Sequence, residues 1–274
     1  MKKLFKAVAL AVVAVIIAIS VVACDGGIIK DIIGLFDGSE QTTDIDAAKM
    51  TNEITTDKIH ALFTVVAEYK KGSGRFPFSG SSSLRSQGSA VAFYKQDGYV
   101  FILTNCHVVA DREGYSQATY TVTDYAGNSY SARLLQNDET GVNAISPDYD
   151  LACLYFRPSG DYTVLDIADE DPSVGETVVA LGAPENQSNA ITFGKVNSYV
   201  KTEVQADASL SNVTFSVICH DAYIDNGSSG GPLINKDYEI VGINYGGSED
   251  NSISLAVPAT KVNEFLKAYV WAEK

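Results

Sequence analysis

From Ile59 to about Pro258 the chain is cut into short apolar runs rich in Val, Ile, Phe and Tyr, with Gly, Asn, Asp and Ser between them. A-L-F-T-V-V-A-E-Y, S-A-V-A-F-Y, Y-V-F-I-L-T, T-Y-T-V-T and L-A-C-L-Y-F open the series. E-T-V-V-A-L, I-T-F-G-K-V, V-T-F-S-V-I and E-I-V-G-I-N-Y continue it. Many short strands divided by turn residues predict an all-β sandwich or barrel. No long helical pattern alternates with the runs, which argues against a doubly wound α/β fold. One helix is expected at the end, where Val262, Phe265, Leu266, Tyr269 and Val270 recur at helical spacing after Pro258. Residues 72–88, G-S-G-R-F-P-F-S-G-S-S-S-L-R-S-Q-G, read as a surface loop. An apolar fraction of 46% suits a packed domain. No internal repeat is visible, and residues 58–274 are expected to fold as one domain.

The first residues have another character. Lys2, Lys3 and Lys6 precede an apolar run from Ala7 to Ala23, broken only by Ser20. A charged head followed by an apolar core is the pattern of a secretory signal. The run lies at the short limit for a membrane-spanning helix. Val21-Val22-Ala23-Cys24 resembles the lipobox of bacterial lipoproteins. That resemblance implies a signal peptide at 1–23, cleavage before Cys24, and lipid attached to Cys24. An uncleaved N-terminal anchor is the alternative, and both export and tether the domain. Residues 24–57 mix scattered apolar residues with Gly, Asp, Thr and Ser and read as a lipid-anchored linker. The expected location is the outer face of a membrane in a bacterial cell envelope.

Charge and cysteine content narrow the partners. The net charge of −14 becomes −17 without residues 1–23, which hold three Lys and no acid. Such a chain stays soluble and off anionic surfaces, and it lacks the basic footprint that nucleic acid requires. Of four Cys, Cys24 is set aside for lipid, leaving Cys106, Cys153 and Cys219. At most one disulfide can form among three, so this is not a disulfide scaffold.

The sharpest chemical signal is D-N-G-S-S-G-G-P-L-I, Asp225 to Ile234. Glycines permit positive φ and let backbone N–H groups converge on one point, where they can hold the oxyanion formed when a carbonyl is attacked. A Ser hydroxyl needs a base and an orienting carboxylate to act as nucleophile. The three His residues, His60, His107 and His220, all precede Ser229. Gly227 to Gly231 also fits G-x-S-x-G, the nucleophile elbow of α/β-hydrolases, but those enzymes place their His after the Ser. The order here must be His, then Ser, as in chymotrypsin-like enzymes. Cys106-His107 and Cys219-His220 invite a zinc reading. Neighbours in extended chain face opposite ways, so each pair would give one ligand at most, and no C-x-x-C or H-x-x-x-H spacing occurs. No metal and no cofactor is expected, and the Cys residues read as small buried apolar groups.

At this point a family resemblance enters. T-N-C-H-V-V, D-Y-D-L-A-C-L, V-V-A-L-G-A-P, I-T-F-G-K-V, D-A-Y-I-D-N-G-S-S-G-G-P-L-I, V-G-I-N-Y and L-A-V-P follow one another between residues 59 and 270. Together they resemble the HtrA-type (Deg) bacterial serine proteases of the trypsin-like superfamily. The resemblance implies two six-stranded antiparallel β-barrels with a C-terminal helix and the site between them. It implies Ser229 as nucleophile, His107 as general base and acid, and Asp150 as the group that orients His107. It implies an oxyanion hole from the Gly227 and Ser229 N–H groups. Asp148 shares a face with Asp150 if the segment is extended, and the D-L-A match favours Asp150. Only Ser229, not Ser228, is followed by G-G-P. Many relatives have Asn or Asp where Ser228 stands. Tyr223, six residues before Ser229, takes the place of the primary-pocket floor. Being uncharged, it points to small or medium apolar residues rather than Lys or Arg, with plain packing as the alternative.

The expectation is therefore a tethered serine endopeptidase acting on proteins or peptides. HtrA-type enzymes continue into a PDZ domain, which is not expected here. Two other classes share some of these features. One is a catalytically silent trypsin-like domain that binds peptides or proteins; the other is an esterase using the same triad.

Overall fold

A computed structural model of the chain describes residues 46–71, 83–137, 140–183, 190–201, 210–247 and 253–271. The expected signal at 1–23, Cys24 and the start of the expected linker lie outside the described residues. A helix α1 (Ala47–Thr56) and a 3-10 turn (Lys58–Ala61) lead into β1 (Leu62–Lys70), β2 (Ser83–Gln96) and β3 (Tyr99–Thr104). A one-turn helix α2 (Cys106–Val109) follows, then β4 (Ser116–Asp124), β5 (Ser129–Leu134), β6 (Ile145–Ser146) and β7 (Leu151–Phe156). The second half holds β8 (Thr177–Gly182), β9 (Ala190–Lys201), β10 (Ser216–His220), β11 (Pro232–Ile234), β12 (Ile240–Gly247) and β13 (Ser254–Pro258). Helix α3 (Ala259–Tyr269) comes last.

The strands close into two antiparallel barrels. In the first, the ring runs β1-β2-β3-β7-β5-β4 and returns to β1, with β6 added beside β7. In the second, it runs β8-β9-β10-β13-β12-β11 and returns to β8. This is the expected trypsin-like pair of six-stranded barrels. Closure leaves neither barrel with a free edge. The hairpin of β2 and β3 turns on Asp97 and Gly98, both at positive φ (53° and 79°), as a two-residue primed turn requires. Phe63, Val65, Val91, Ile102, Val122, Leu154 and Phe156 are buried in the first barrel's half. Val179, Leu181, Ile234, Ile243 and Val257 from the second half belong to the same apolar cluster, which thus runs through both halves, while Val178, Ile218, Leu233 and Val241 form a second cluster in the second half.

Two expectations are corrected. The linker reading extends to residue 57, but α1 buries Met50 and Ile54 in the core. The short apolar spacing within A-A-K-M-T-N-E-I-T-T suffices once a barrel supplies the other side of the contact. Asp46 caps this helix by accepting from Lys49 N at 3.0 Å. Of the loop expected at 72–88, residues 83–88 are strand instead, pairing with β1 from Lys70↔Ser83 to Val65↔Gly88, and the rest lies outside the described residues. Their Ser, Arg and Gln content is poor for a strand, and pairing with the strongly apolar β1 overrides it.

The C-terminal helix forms as expected and buries Ala259, Val262, Phe265 and Leu266. Asp171 caps it from another part of the chain, accepting from Thr260 N at 2.9 Å and Thr260 Oγ1 at 2.8 Å. Its rings at Phe265 and Tyr269 pack on Tyr149, with centroids 6.0 and 6.3 Å away. No helix among the described residues is long and apolar enough to cross a membrane.

Candidate active site

The antiparallel pairing of β3 with β7 sets the first half of the site. Thr104 lies opposite Ala152, so the chain leaving β3 and the chain entering β7 emerge side by side. His107 sits on the first side and Asp150 on the second. The His107 imidazole Nδ1 lies 2.8 Å from Asp150 Oδ2. The His107 backbone N–H donates to Asp150 Oδ1 at 3.0 Å. Both carboxylate oxygens are thus engaged by one residue. The Asp150 side chain is fully buried, while the His107 side chain is 29% exposed. Asp150 adopts φ 50°, an uncommon conformation for a non-glycine residue. Asn105 holds it there by donating from Nδ2 to the Asp150 carbonyl at 2.8 Å. Asp148 is exposed and accepts instead from Asn212 Nδ2 at 2.7 Å.

The carbonyls around the short helix α2 are satisfied by three side chains. Arg112 Nη2 donates to the His107 carbonyl at 2.6 Å, Tyr120 OH to that of Val109 at 3.2 Å, and Tyr69 OH to that of Ala110 at 2.8 Å. The Arg112 guanidinium also lies over the Tyr69 ring, 5.7 Å from its centroid. Burial pushes both tyrosine hydroxyls up to about 12, so they stay protonated donors at neutral pH. A helix end left without such partners would be costly.

Ser229 lies in the turn between β10 and β11, half-buried. Its neighbour Ser228 is turned inward, 3% exposed, with Oγ accepting from Asp225 N at 3.2 Å. The turn's N–H groups divide into two sets. Ser228 N–H donates to Asp225 O (2.9 Å), Gly230 N–H to Asn244 O (2.8 Å) and Gly231 N–H to Ser228 O (3.0 Å). Gly227 and Ser229 N–H have no acceptor among the described residues. Gly227 and Gly230 both need glycine: their φ values are 92° and 89°, and a side chain at Gly230 would collide with the Ser89 carbonyl.

The sites of His107 and Ser229 converge on Gly88. A side chain there would run into both Val108, next to His107, and the Ser229 carbonyl. No hydrogen bond joins the Ser229 hydroxyl to the imidazole in this structure. Catalytic hydrogen bonds are often long before substrate binds.

The remaining sequence candidates are placed as follows. Tyr223 lies on the same turn, 47% exposed, with its hydroxyl 3.2 Å from Asp225 Oδ2 and its carbonyl accepting from Thr192 Oγ1 at 2.7 Å. His60 stacks on Tyr125 at 4.2 Å, away from the site. His220 is fully buried with both ring nitrogens unpartnered. Burial lowers it to about 4, against weaker opposing effects from Asn244, Asp221 and Ala222. Asn244 and Ala222 lie near the ring without reaching it in hydrogen-bond geometry. Cys106, Cys153 and Cys219 are free and buried, and burial pushes the Cys106 thiol up to about 12. That keeps it a thiol rather than a nucleophilic thiolate. Among the described residues no group of three His, Cys, Asp or Glu side chains converges as a metal site. Ser89, Asn105, Arg112, Tyr69, Tyr120 and Asn244 were not singled out from sequence. Asn105 and Asn244 fall inside the T-N-C-H-V-V and V-G-I-N-Y motifs without being marked in them, and the other four lie in none of the family motifs; the partners of all six lie far away along the chain or on the backbone.

Comparison with known proteins places these features in a wider set. A family model described as a trypsin-like peptidase domain matches residues 88–243. Over 194 residues, 70% of this chain and 38% of the relative, the chain is 36% identical to the mitochondrial serine protease HTRA2 of Bos taurus. It is also 36% identical over 199 residues to the serine protease Do-like HtrA of Bacillus subtilis, covering 68% of this chain and 41% of that protein. The chain therefore spans about two fifths of the length of these relatives. Among solved structures, an HtrA-type protease with a decapeptide aligns over 81% of this chain and 68% of its own, at TM-score 0.61 and 20% identity. The active form of the Rv3671c protease from M. tuberculosis aligns over 84% and 88%, at TM-score 0.60 and 22% identity. These last two likenesses speak to the fold.

Proposed function

The chain belongs to the trypsin-like peptidase family, with HtrA-type serine proteases among its relatives, and from that membership we propose that it is a serine endopeptidase with His107, Asp150 and Ser229 as its triad. The observation that carries the reading is the two-point hold of a buried carboxylate on one histidine, 2.8 Å at the ring and 3.0 Å at the backbone. Binding Nδ1 fixes the tautomer and leaves Nε2 as the nitrogen that exchanges a proton.

The steps follow from these positions. The Ser229 hydroxyl attacks the carbonyl carbon of a peptide bond while His107 Nε2 takes its proton. Asp150 holds the ring in place and stabilises its charged form. The carbonyl oxygen becomes an oxyanion and accepts from the Gly227 and Ser229 N–H groups, worth about 3 to 4 kcal/mol per donor in comparable sites. The imidazolium returns its proton to the leaving amine, and an acyl-enzyme remains on Ser229. Water, deprotonated by His107, releases the acid and restores the hydroxyl. The step from Ser229 to His107 requires the two side chains to come within about 3 Å. Protein or peptide is the substrate class, and Tyr223 would contact the residue before the cleaved bond and favour apolar over basic side chains.

We assign the membrane tether to Cys24, from the apolar run before it and its lipobox-like setting. The full-length chain is expected to fractionate with membranes and to incorporate labelled palmitate, and Cys24→Ser to lose the label; an unlabelled wild-type chain that stays in the membrane fraction would point instead to an uncleaved anchor. The full-length chain is expected to cleave casein, and Ser229→Ala to be inert. A folded wild-type chain that binds casein without cleaving it would instead support a silent binding domain.

A further inference from the structure

We propose that Ser89, a β2 residue outside the triad, is the positioning residue that sets the anion-binding turn against the first barrel. The proposal rests on the protease reading above. Ser89 is 1% exposed, and every polar group it has is committed. Its Oγ accepts from Ala183 N–H at 2.8 Å and donates to the Gly227 carbonyl at 2.7 Å. A hydroxyl has one proton, and because the Ala183 group is a donor, that proton can go only to Gly227. The Ser89 N–H donates to the Ser229 carbonyl at 2.7 Å. The Ser89 carbonyl accepts from Thr104 Oγ1 at 2.7 Å, three residues before His107. One buried residue thus ties together the strand leading to His107, the end of β8, and two carbonyls of the nucleophile turn.

Those two carbonyls bracket the anion site. The Ser229 N–H lies between them, and the Gly227 N–H belongs to the residue whose carbonyl Ser89 binds. Gly227, at φ 92°, has no side chain to limit its rotation. The Ser89 hydroxyl removes that freedom. The backbone bond to Ser229 would survive a change of side chain, whereas the hold on Gly227 depends on the hydroxyl alone.

Ser89→Ala isolates that part. Its kcat for a peptide substrate is expected to fall about tenfold to a hundredfold, with KM within about twofold, because a slight misplacement of an oxyanion donor costs the transition state more than the ground state. Affinity for a peptide boronic acid, which forms a tetrahedral adduct, should fall in parallel with kcat. Affinity for the matching product peptide should not. Ser89→Cys is the second variant, nearly the same shape with a weaker donor, and it should show the same split whether or not Ser89→Ala folds. An unchanged kcat and boronate affinity in the folded variants, or equal losses for boronate and product, would overturn the proposal. A wild-type chain that hydrolyses nothing overturns the protease reading and this inference with it. An active wild type with an inert Ser229→Ala and unchanged Ser89 variants overturns this inference alone.

Discussion

The strain at Asp150 and the burial of its carboxylate serve one outcome, a histidine with a single available nitrogen. Replacing Asp150 by Asn keeps the shape and removes a buried charge, so the fold should persist. The amide can also donate to Nδ1, which selects the wrong tautomer. A fall in kcat of about 10⁴-fold is expected, read from peptide hydrolysis beside an unchanged circular dichroism spectrum. A loss under tenfold would show that Asp150 does not orient the base. His220 makes a separate prediction about stability. The native state binds its proton only below about pH 4, whereas an ordinary His does so near 6.5. Between these values the unfolded chain holds more protons. The contribution is therefore complete above about pH 6.5 and is lost as pH falls toward 4, by about 3 kcal/mol. Denaturant midpoints at pH 7.5 and 4.5 should differ more for the wild type than for His220→Met. Equal differences would mean that the ring is not buried neutral.

At the scale of elements, the strands were legible where apolar runs met turn residues, as in Y-V-F-I-L-T for β3 and L-A-C-L-Y-F for β7. The closing helix was legible from the 3.6-residue spacing of Val262, Phe265 and Leu266. Elements whose identity depends on a partner were not. β5, S-Y-S-A-R-L, alternates weakly and is held by β4 and β7 on either side. Residues 83–88 are strand only because β1 lies beside them. Helix α1 reads as linker because its two buried residues, Met50 and Ile54, are too few to stand out. Its docking has a measurable consequence. Ile54 is fully buried, and Ile54→Ala should cost about 2 to 4 kcal/mol, seen as a lower urea midpoint. A change below about 0.5 kcal/mol, the size usual for surface sites, would return residues 46–57 to the role of linker.

For the whole molecule, the site exists because two separately closed barrels present their loops to each other. The residue types were readable from local motifs, since T-N-C-H, D-L-A and G-S-S-G-G-P each carry their own pattern. The choice among three histidines was not decided by spacing and order alone. In space, the β3–β7 pairing sets His107 against Asp150 and leaves His60 on the 3-10 turn and His220 in the core. The contacts that hold the barrels in register were invisible, because the Ser89 hydroxyl and the Gly227 carbonyl are separated by 138 residues. The central claim is that Ser229 is activated by the His107–Asp150 pair. It is tested most directly by treating the folded full-length chain with a fluorophosphonate and locating the added mass by peptide mass spectrometry. Label on the Ser229 peptide, absent in Ser229→Ala and strongly slowed in His107→Ala, is the expected result. No label, or label on Ser229 at the same rate without His107, would contradict it.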